Sequence, residues 1–309
     1  MKRRDFLAGL GSATAWPVVA RGQQPERMRR IGLFFTVPPS DPIAQQYTQA
    51  LLQGLHEFGW IVGTNLEIVT RFGGISDIGQ IETAAKELVA AQPDLIQTAA
   101  TPGTAAILKE TRTIPVVFSI VSDPIGFGFV ESFAHPGRNA TGLVNWDSSL
   151  GGKWVQTLKE AVPQLTHATL LFNPAMMGIQ LHNWKPPVEA AAKQFAITLR
   201  TAPVENVAAI ESQMDVASLS LANRAWLPAI YPYPEFAALG ELLSYGVDLL
   251  DLYRRSANYI DRILKGAKPA DLPLQFPVKF QFVINLKAAR ALDLTVPPQL
   301  LARADEVIE

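Results

Sequence analysis

Along this chain the spacing of apolar residues alternates between two periods, and the alternation lays out the fold. Residues 30–35 (Arg-Ile-Gly-Leu-Phe-Phe) form a short apolar run that reads as a buried strand. From 42 to 58 the apolar positions Ala44, Tyr47, Leu51, Leu52 and Leu55 recur at helical intervals, and Gly63 ends that unit. Residues 65–71 alternate as a strand does. The pattern then predicts a helix over 78–91, a strand over 94–99, a helix over 104–111 and strands over 114–120 and 141–145. Strands separated by helices run the same way, so this order implies a parallel sheet covered on both faces.

The pattern then restarts. A helix is predicted over 152–161, a strand over 167–173 closed by Pro174, a helix over 188–195 and a strand over 196–201. A helix over 207–226 and a strand over 228–231 follow. Helical periodicity is clear over 249–264 through Leu250, Tyr253, Tyr259, Ile260 and Ile263, with Lys265-Gly266 as its cap. An extended connector, 268–273, leads to a strand over 279–285 and a helix over 286–292. The fold class expected is α/β: two doubly wound parallel-sheet lobes joined by a hinge. About 285 residues beyond the front segment are long for one core and natural for two.

The front segment adds a destination. Three cations, Lys2, Arg3 and Arg4, precede an uncharged stretch from Phe6 to Ala20, which ends at Ala20-Arg21-Gly22. That layout predicts an export signal over 1–22, cut near Gly22. At about 15 residues the stretch is short of the ~20 a membrane span needs. Arg3-Arg4 followed by Asp5-Phe6-Leu7 also resembles the twin-arginine signal, so a periplasmic destination is expected. The front's four cations and Asp5 sum to +3; the whole chain is −1, which leaves −4 for the rest. A mildly acidic surface argues against nucleic acid or anionic membrane as the partner. The absence of cysteine removes disulfides and thiolate chemistry.

Ligands of such sheets bind outside the carboxyl ends of the strands, so the loops there carry the candidate chemistry. The first begins at Thr36. The third, around Thr101 and Thr104, opens a helix with Thr101 as the expected N-cap and Pro102 at its first position, a setting that suits a carboxylate. The fourth offers Ser122 and Asp123, the latter a partner for an ammonium. Phe34, Phe35, Phe72, Tyr231 and Tyr233 are aromatics near strand ends. Each of these is equally an ordinary cap, turn or core residue. Catalysis finds little support: His56, His135, His167 and His182 show no metal-ligand spacing, no phosphate loop follows a strand, and Asp248 and Asp251 sit where a helix starts. No cofactor or metal is expected.

Several stretches together resemble one family. They include Gln53-Gly-Leu-His-Glu-Phe-Gly-Trp60, Ala100-Thr-Pro-Gly-Thr-Ala-Ala106, Val121-Ser-Asp-Pro-Ile-Gly126, His135-Pro-Gly-Arg-Asn-Ala-Thr-Gly142, Leu171-Phe-Asn-Pro174, Ser244-Tyr-Gly-Val-Asp248 and the long run from Tyr259 to Pro273. On these the chain resembles ABC transporter substrate-binding proteins of the tryptophan/tyrosine type. The resemblance implies a periplasmic-binding-protein-like fold, with lobe 1 over 29–145 plus 246–272 and lobe 2 over 146–245 plus 273–309. It implies a ligand cleft between the lobes and pocket loops at Thr101, Thr104, Ser122 and Asp123. The partners implied are a small solute, an ABC permease and its ATPase, with the receptor itself a monomer. The solute expected is small and carboxylate-bearing, of the aromatic or branched amino-acid type. The rival classes are a regulator's ligand-sensing domain, which lacks a helix-turn-helix here, and a hydrolase.

One run departs from that family's pattern. Between about Ile210 and Trp226 a strand and its pocket loop are missing, some 30 residues or one βα unit. The expectation is a second lobe with fewer strands than the first, a shallower cleft and impaired affinity, a degenerate binding protein.

Overall fold

The computed structural model describes residues 27–74, 77–147, 149–174, 181–204 and 227–309. The export signal read at 1–22 and the helix read at 207–226 lie outside these residues. The first group of elements is β1 (Arg29–Phe35), α1 (Pro42–Glu57), β2 (Leu66–Phe72), α2 (Ile78–Ala90), β3 (Leu95–Ala99), α3 (Thr101–Glu110), β4 (Val116–Val121) and β5 (Ala140–Val144). Its five strands form one all-parallel sheet in the order β2-β1-β3-β4-β5. The order reverses between β1 and β3, which opens a crevice at their carboxyl ends.

β1 lies between β2 and β3, with Ile31 paired to Ile68 on one side and Leu95 on the other. Residues 31–35 are therefore all buried. Ile31, Leu33 and Phe35 enter the core shared with α1, while Phe34 enters the core under α2 and α3. Alternate residues of one strand thus feed two cores, as the pleat of a doubly covered sheet requires.

The second group begins with α4 (Leu150–Ala161), β6 (His167–Phe172), α5 (Leu181–Gln194) and β7 (Thr198–Pro203). It continues with β8 (Ile230–Tyr231), α6 (Pro234–Ala238) and β9 (Leu243–Val247). The chain then returns to the first group as α7 (Leu249–Leu264), whose Tyr253, Ala257, Tyr259 and Ile260 share the core of Ile31, Leu33 and Leu51. It comes back through a short turn at Pro269–Asp271 as β10 (Phe280–Asn285), followed by α8 (Leu286–Ala291), α9 (Pro298–Leu301) and β11 (Glu306–Ile308). Three stretches thus pass between the groups: after β5, after β9 and before β10. β9 runs out towards the first group and β10 runs back from it, which is why these neighbours pair antiparallel among otherwise parallel strands.

The expectation of fewer strands in the second lobe is not met. Six described strands lie there against five in the first group, but they are split into a four-stranded sheet, β11-β10-β9-β8, and a separate pair, β6-β7. Two other expectations shift. α5 starts at Leu181 rather than 188, and carries Pro186 and Pro187 within it. α3 starts at Thr101, so its N-cap is Ala100 and not Thr101. β9 was not anticipated; Ser244 and Gly246 interrupt its apolar run, yet four of its five residues are buried.

Candidate functional site

The ledge of the crevice is built by strand ends of the first group. Thr36, just past β1, is buried, and its methyl packs on the first turn of α3: a side chain at Gly103 would come within 3.0 Å of Thr36 Cγ2 and 3.2 Å of Thr98 Oγ1. Two non-glycine residues with left-handed backbone stand at this rim, Ala100 (φ 60°) before α3 and Ile120 (φ 60°) in β4, where the register with β5 shifts. Such conformations cost about 1–3 kcal/mol each and persist only where the surroundings enforce them. Here they turn the chain sharply into the loops bearing Thr101 and Ser122.

Asp123 follows. Its Oδ1 accepts the Gly126 backbone N–H at 2.8 Å, and its Oδ2 is buried with no hydrogen-bond donor. A Cβ at 126 would lie 2.2 Å from Oδ2, so a side chain there would push the carboxylate from this position. A buried carboxylate with one oxygen anchored and the other unanswered is a group held ready for a donor from outside. His182 of α5 reaches in from the second group, its Nε2 3.7 Å from Oδ2.

Beside Asp123 a polar chain crosses between the groups. Ser122 Oγ donates to Asn145 Oδ1 at 2.9 Å, and Asn145 Nδ2 points to the Tyr233 hydroxyl at 3.5 Å. Tyr47 of α1 stacks on Tyr253 of α7 with centroids 4.4 Å apart. Burial first, then the nearby Tyr253, Glu235, Tyr233 and Asp41, raises the Tyr47 pKa far above that of a free phenol. Those neighbours come from both groups, so Tyr47 lies near Tyr233 and Glu235 of the second group. Burial alone raises the Tyr253 phenol as well, and its hydroxyl has no hydrogen-bond partner. Behind this lies a tryptophan cluster at the junction: Trp184 of α5 meets Trp146 at 4.1 Å and stacks on Trp154 at 5.0 Å.

Of the residues singled out in the sequence, Thr36, Thr101, Ser122 and Asp123 share this rim. Thr104 lies beneath it, fully buried, its hydroxyl donating to Ala100 O at 2.9 Å, which closes the first turn of α3. Tyr231 turns to Glu241: the hydroxyl hydrogen-bonds that carboxyl, while burial pushes the Glu241 pKa up to about 7 against the lowering effect of this bond. Phe34 is core, and Phe35 and Phe72 stack on each other at 5.7 Å in the ladder that continues to Tyr253.

The comparisons with known proteins bear on the same residues. The model of a family described as ABC transporter substrate binding protein matches 35–220 and 216–308, nearly all of the described chain. The chain belongs to this family. A curated relative, the tyrosine-binding protein of Clostridioides difficile strain R20291, is 23% identical over 291 residues, 87% of this chain and 82% of that one. Among solved structures, a conserved domain protein from Vibrio cholerae is 25% identical with a TM-score of 0.80, covering 91% of this chain and 100% of that one. A streptococcal ABC domain in complex with L-Trp is 24% identical with a TM-score of 0.81, over 91% and 99% of the two chains. These two solved structures share the α/β fold described above. The two matched stretches overlap at 216–220.

For a substrate-binding protein the crevice is the expected working surface, and sequence reasoning missed part of it. Asn145 was readable, since it directly follows β5 and strand-end positions carry the site. Tyr253 was seen only as helical periodicity. His182 gave no signal, because nothing in the spacing brings α5 to Asp123. Among the described residues no group of three or more metal-type side chains comes together, and no helix is long and apolar enough to cross a membrane. Two hollows of about 240 and 300 Å³ lie away from the crevice along α4, lined by Lys153 and Gln156 in both.

Proposed function

We propose that this chain is the extracytoplasmic receptor of an ABC importer for an aromatic amino acid, delivering it to the permease and ATPase. The observation that carries the reading is Asp123: a buried carboxylate whose Oδ2 lacks a donor at the mouth of an interlobe crevice. An α-ammonium would supply that donor. The carboxylate of the solute would lie at the first turn of α3, by Thr101 and its backbone N–H groups. The aromatic side chain would lie by Tyr47, Tyr233 and Tyr253, whose unpaired hydroxyl in Tyr253 suits a polar edge on the ring. The relatives described above, a tyrosine-binding protein and a domain bound to L-Trp, support the same class of solute. The sequence at 1–22 supports export, by the twin-arginine route, to the periplasm.

Calorimetry with a panel of amino acids tests this. Tyrosine or tryptophan is expected to bind, and Asp123→Asn to weaken binding by about 1.5–3 kcal/mol, roughly ten- to a hundredfold. Undiminished affinity in Asp123→Asn removes Asp123 from the site, and silence across the panel removes the amino-acid reading. A second reading has its own observation: among the described residues the strands of the second group fall into two sheets. Lobe closure draws on contacts from both sides, so a weakened second lobe predicts the correct ligand class with poor affinity, which the same titrations resolve.

A further inference from the structure

The contact between α5 and Asp123 joins the two lobes without any ligand. His182 Nε2 stands 3.7 Å from Asp123 Oδ2, too long for a hydrogen bond and within ion-pair range for a protonated imidazole. The carboxylate is 9% exposed and the imidazole 63%, so one partner is fixed in the protein and the other reaches in from solvent. Oδ1 is occupied by the Gly126 N–H, which leaves Oδ2 as the only oxygen in play. On the same helix Lys185 is paired with Glu189 at 3.3 Å.

The helix is anchored to the junction close to this contact. Trp184 holds α5 to the junction through Trp146 and Trp154. His182 is two positions earlier, about 200° around the helix, and so faces away from that anchor. Pro186 and Pro187 have no N–H to return to the turn before them, which removes the helical hydrogen bonds to the carbonyls of His182 and Asn183. Among the described residues β7, the strand after α5, bonds only to β6.

We infer that His182 is a displaceable stand-in for the solute's amine: it holds Asp123 Oδ2 in the unliganded chain and yields it to an incoming primary ammonium. This rests on the amine position assigned to Asp123 above. The stand-in raises the threshold for binding, favouring solutes whose compact ammonium outcompetes an exposed imidazole and rejecting those without an amine.

Two measurements test it, and the first needs no ligand. In a thermal double-mutant cycle of the full chain with Asp123→Asn and His182→Gln, the two changes are expected to be non-additive; additive shifts in Tm overturn the contact. In calorimetry, His182→Gln is expected to tighten binding of the amino acid about two- to fivefold, the range of an exposed ion pair. His182→Arg, which keeps a permanent cation within reach, is expected to weaken it. Equal affinity across wild type, His182→Gln and His182→Arg, with Asp123→Asn still damaging, overturns the stand-in while leaving the site intact. If no amino acid binds, the site's reading fails, and additivity in the melting cycle still decides whether His182 holds Asp123.

Discussion

β1 and β6 open the two lobes, and their fates differ. Both are short apolar runs after polar residues, and by spacing alone they read alike. β1 is bonded on both edges, and five consecutive residues of it are buried. Among the described residues β6 is bonded to β7 alone, and none of its six residues is fully buried. In the first lobe the third strand, β3, fills the far edge of β1. In the second, the next described strand, β8, bonds to β9 and not to β6. A strand's own sequence therefore sets its period, while its neighbours set its burial. α4 is left to bridge the two parts of the second lobe: its Val155 enters the core with α5, and its Ala161 and Val162 enter the core of the larger sheet.

The sharpest way to break this comparison is to cut the same group from both strands. Leu33 of β1 is 0% exposed, and Leu33→Ala is expected to cost about 3 kcal/mol through lost burial and the cavity left behind. Leu170 of β6 is half-buried in a smaller cluster, and Leu170→Ala is expected to cost about 1 kcal/mol, since solvent already reaches part of it. Urea denaturation measures both. Equal losses for the two variants mean that β6 is as well supported as β1, and the contrast between lobes fails.

The first lobe was largely legible because period-two and period-3.6 runs alternate there without interruption. Its predicted elements fall within a few residues of those observed, apart from the start of α3, where Pro102 at the second helical position was taken for the first. The second lobe was less legible for physical reasons. Pro186 and Pro187 argue against a helix that nevertheless runs from Leu181, and β9 hides behind Ser244 and Gly246. At the crevice rim, the strand-end rule named Thr36, Thr101, Ser122 and Asp123 as candidates. It could not find His182 or Tyr253, because the contacts they make join elements distant in sequence.

Buried acids give a second contrast. In the first lobe Asp261 is answered twice, by the Trp60 indole N–H at 2.9 Å and by Lys265 at 2.7 Å. In the second, Glu241 is buried with Oε2 unanswered, and burial pushes its pKa from 4.5 to about 7 despite the Tyr231 hydrogen bond. The folded chain thus keeps a proton on Glu241 that the unfolded chain has released. Stability falls as pH rises from 4.5 to about 7 and stays lower above that. Glu241→Gln cannot ionise, so it is expected to exceed wild type by on the order of 2 kcal/mol at pH 8 and to match it at pH 4. A pH-independent difference between the two proteins in thermal melts assigns the effect to packing instead of charge.

The smallest expected effect lies where the lobes join. Asp248 stands between β9 and α7, and Lys279 just before β10, so their ion pair at 2.8 Å ties two of the three crossings together. The Asp248 N–H also donates to Lys279 O at 3.0 Å. Burial works to raise the Asp248 pKa, but the Lys279 ammonium and the backbone N–H groups of Asp251 and Leu250 outweigh it and hold the carboxyl below its usual 3.8. The bridge therefore stabilises the fold above pH 3.8 and is lost as pH falls through the lower folded-state value. Asp248→Asn keeps the cap on α7, because asparagine caps helices as well as aspartate does, and removes only the charge. Lys279 is largely exposed, so the loss is expected to be about 0.5–1 kcal/mol at pH 7 and to fade in acid. Lys279→Ala should cost about the same, and the double variant little more than either, because one interaction is removed in each case. Losses that add fully mean the two residues act separately, and the joint between the lobes is then held by the tryptophan cluster and the covalent crossings rather than by this pair.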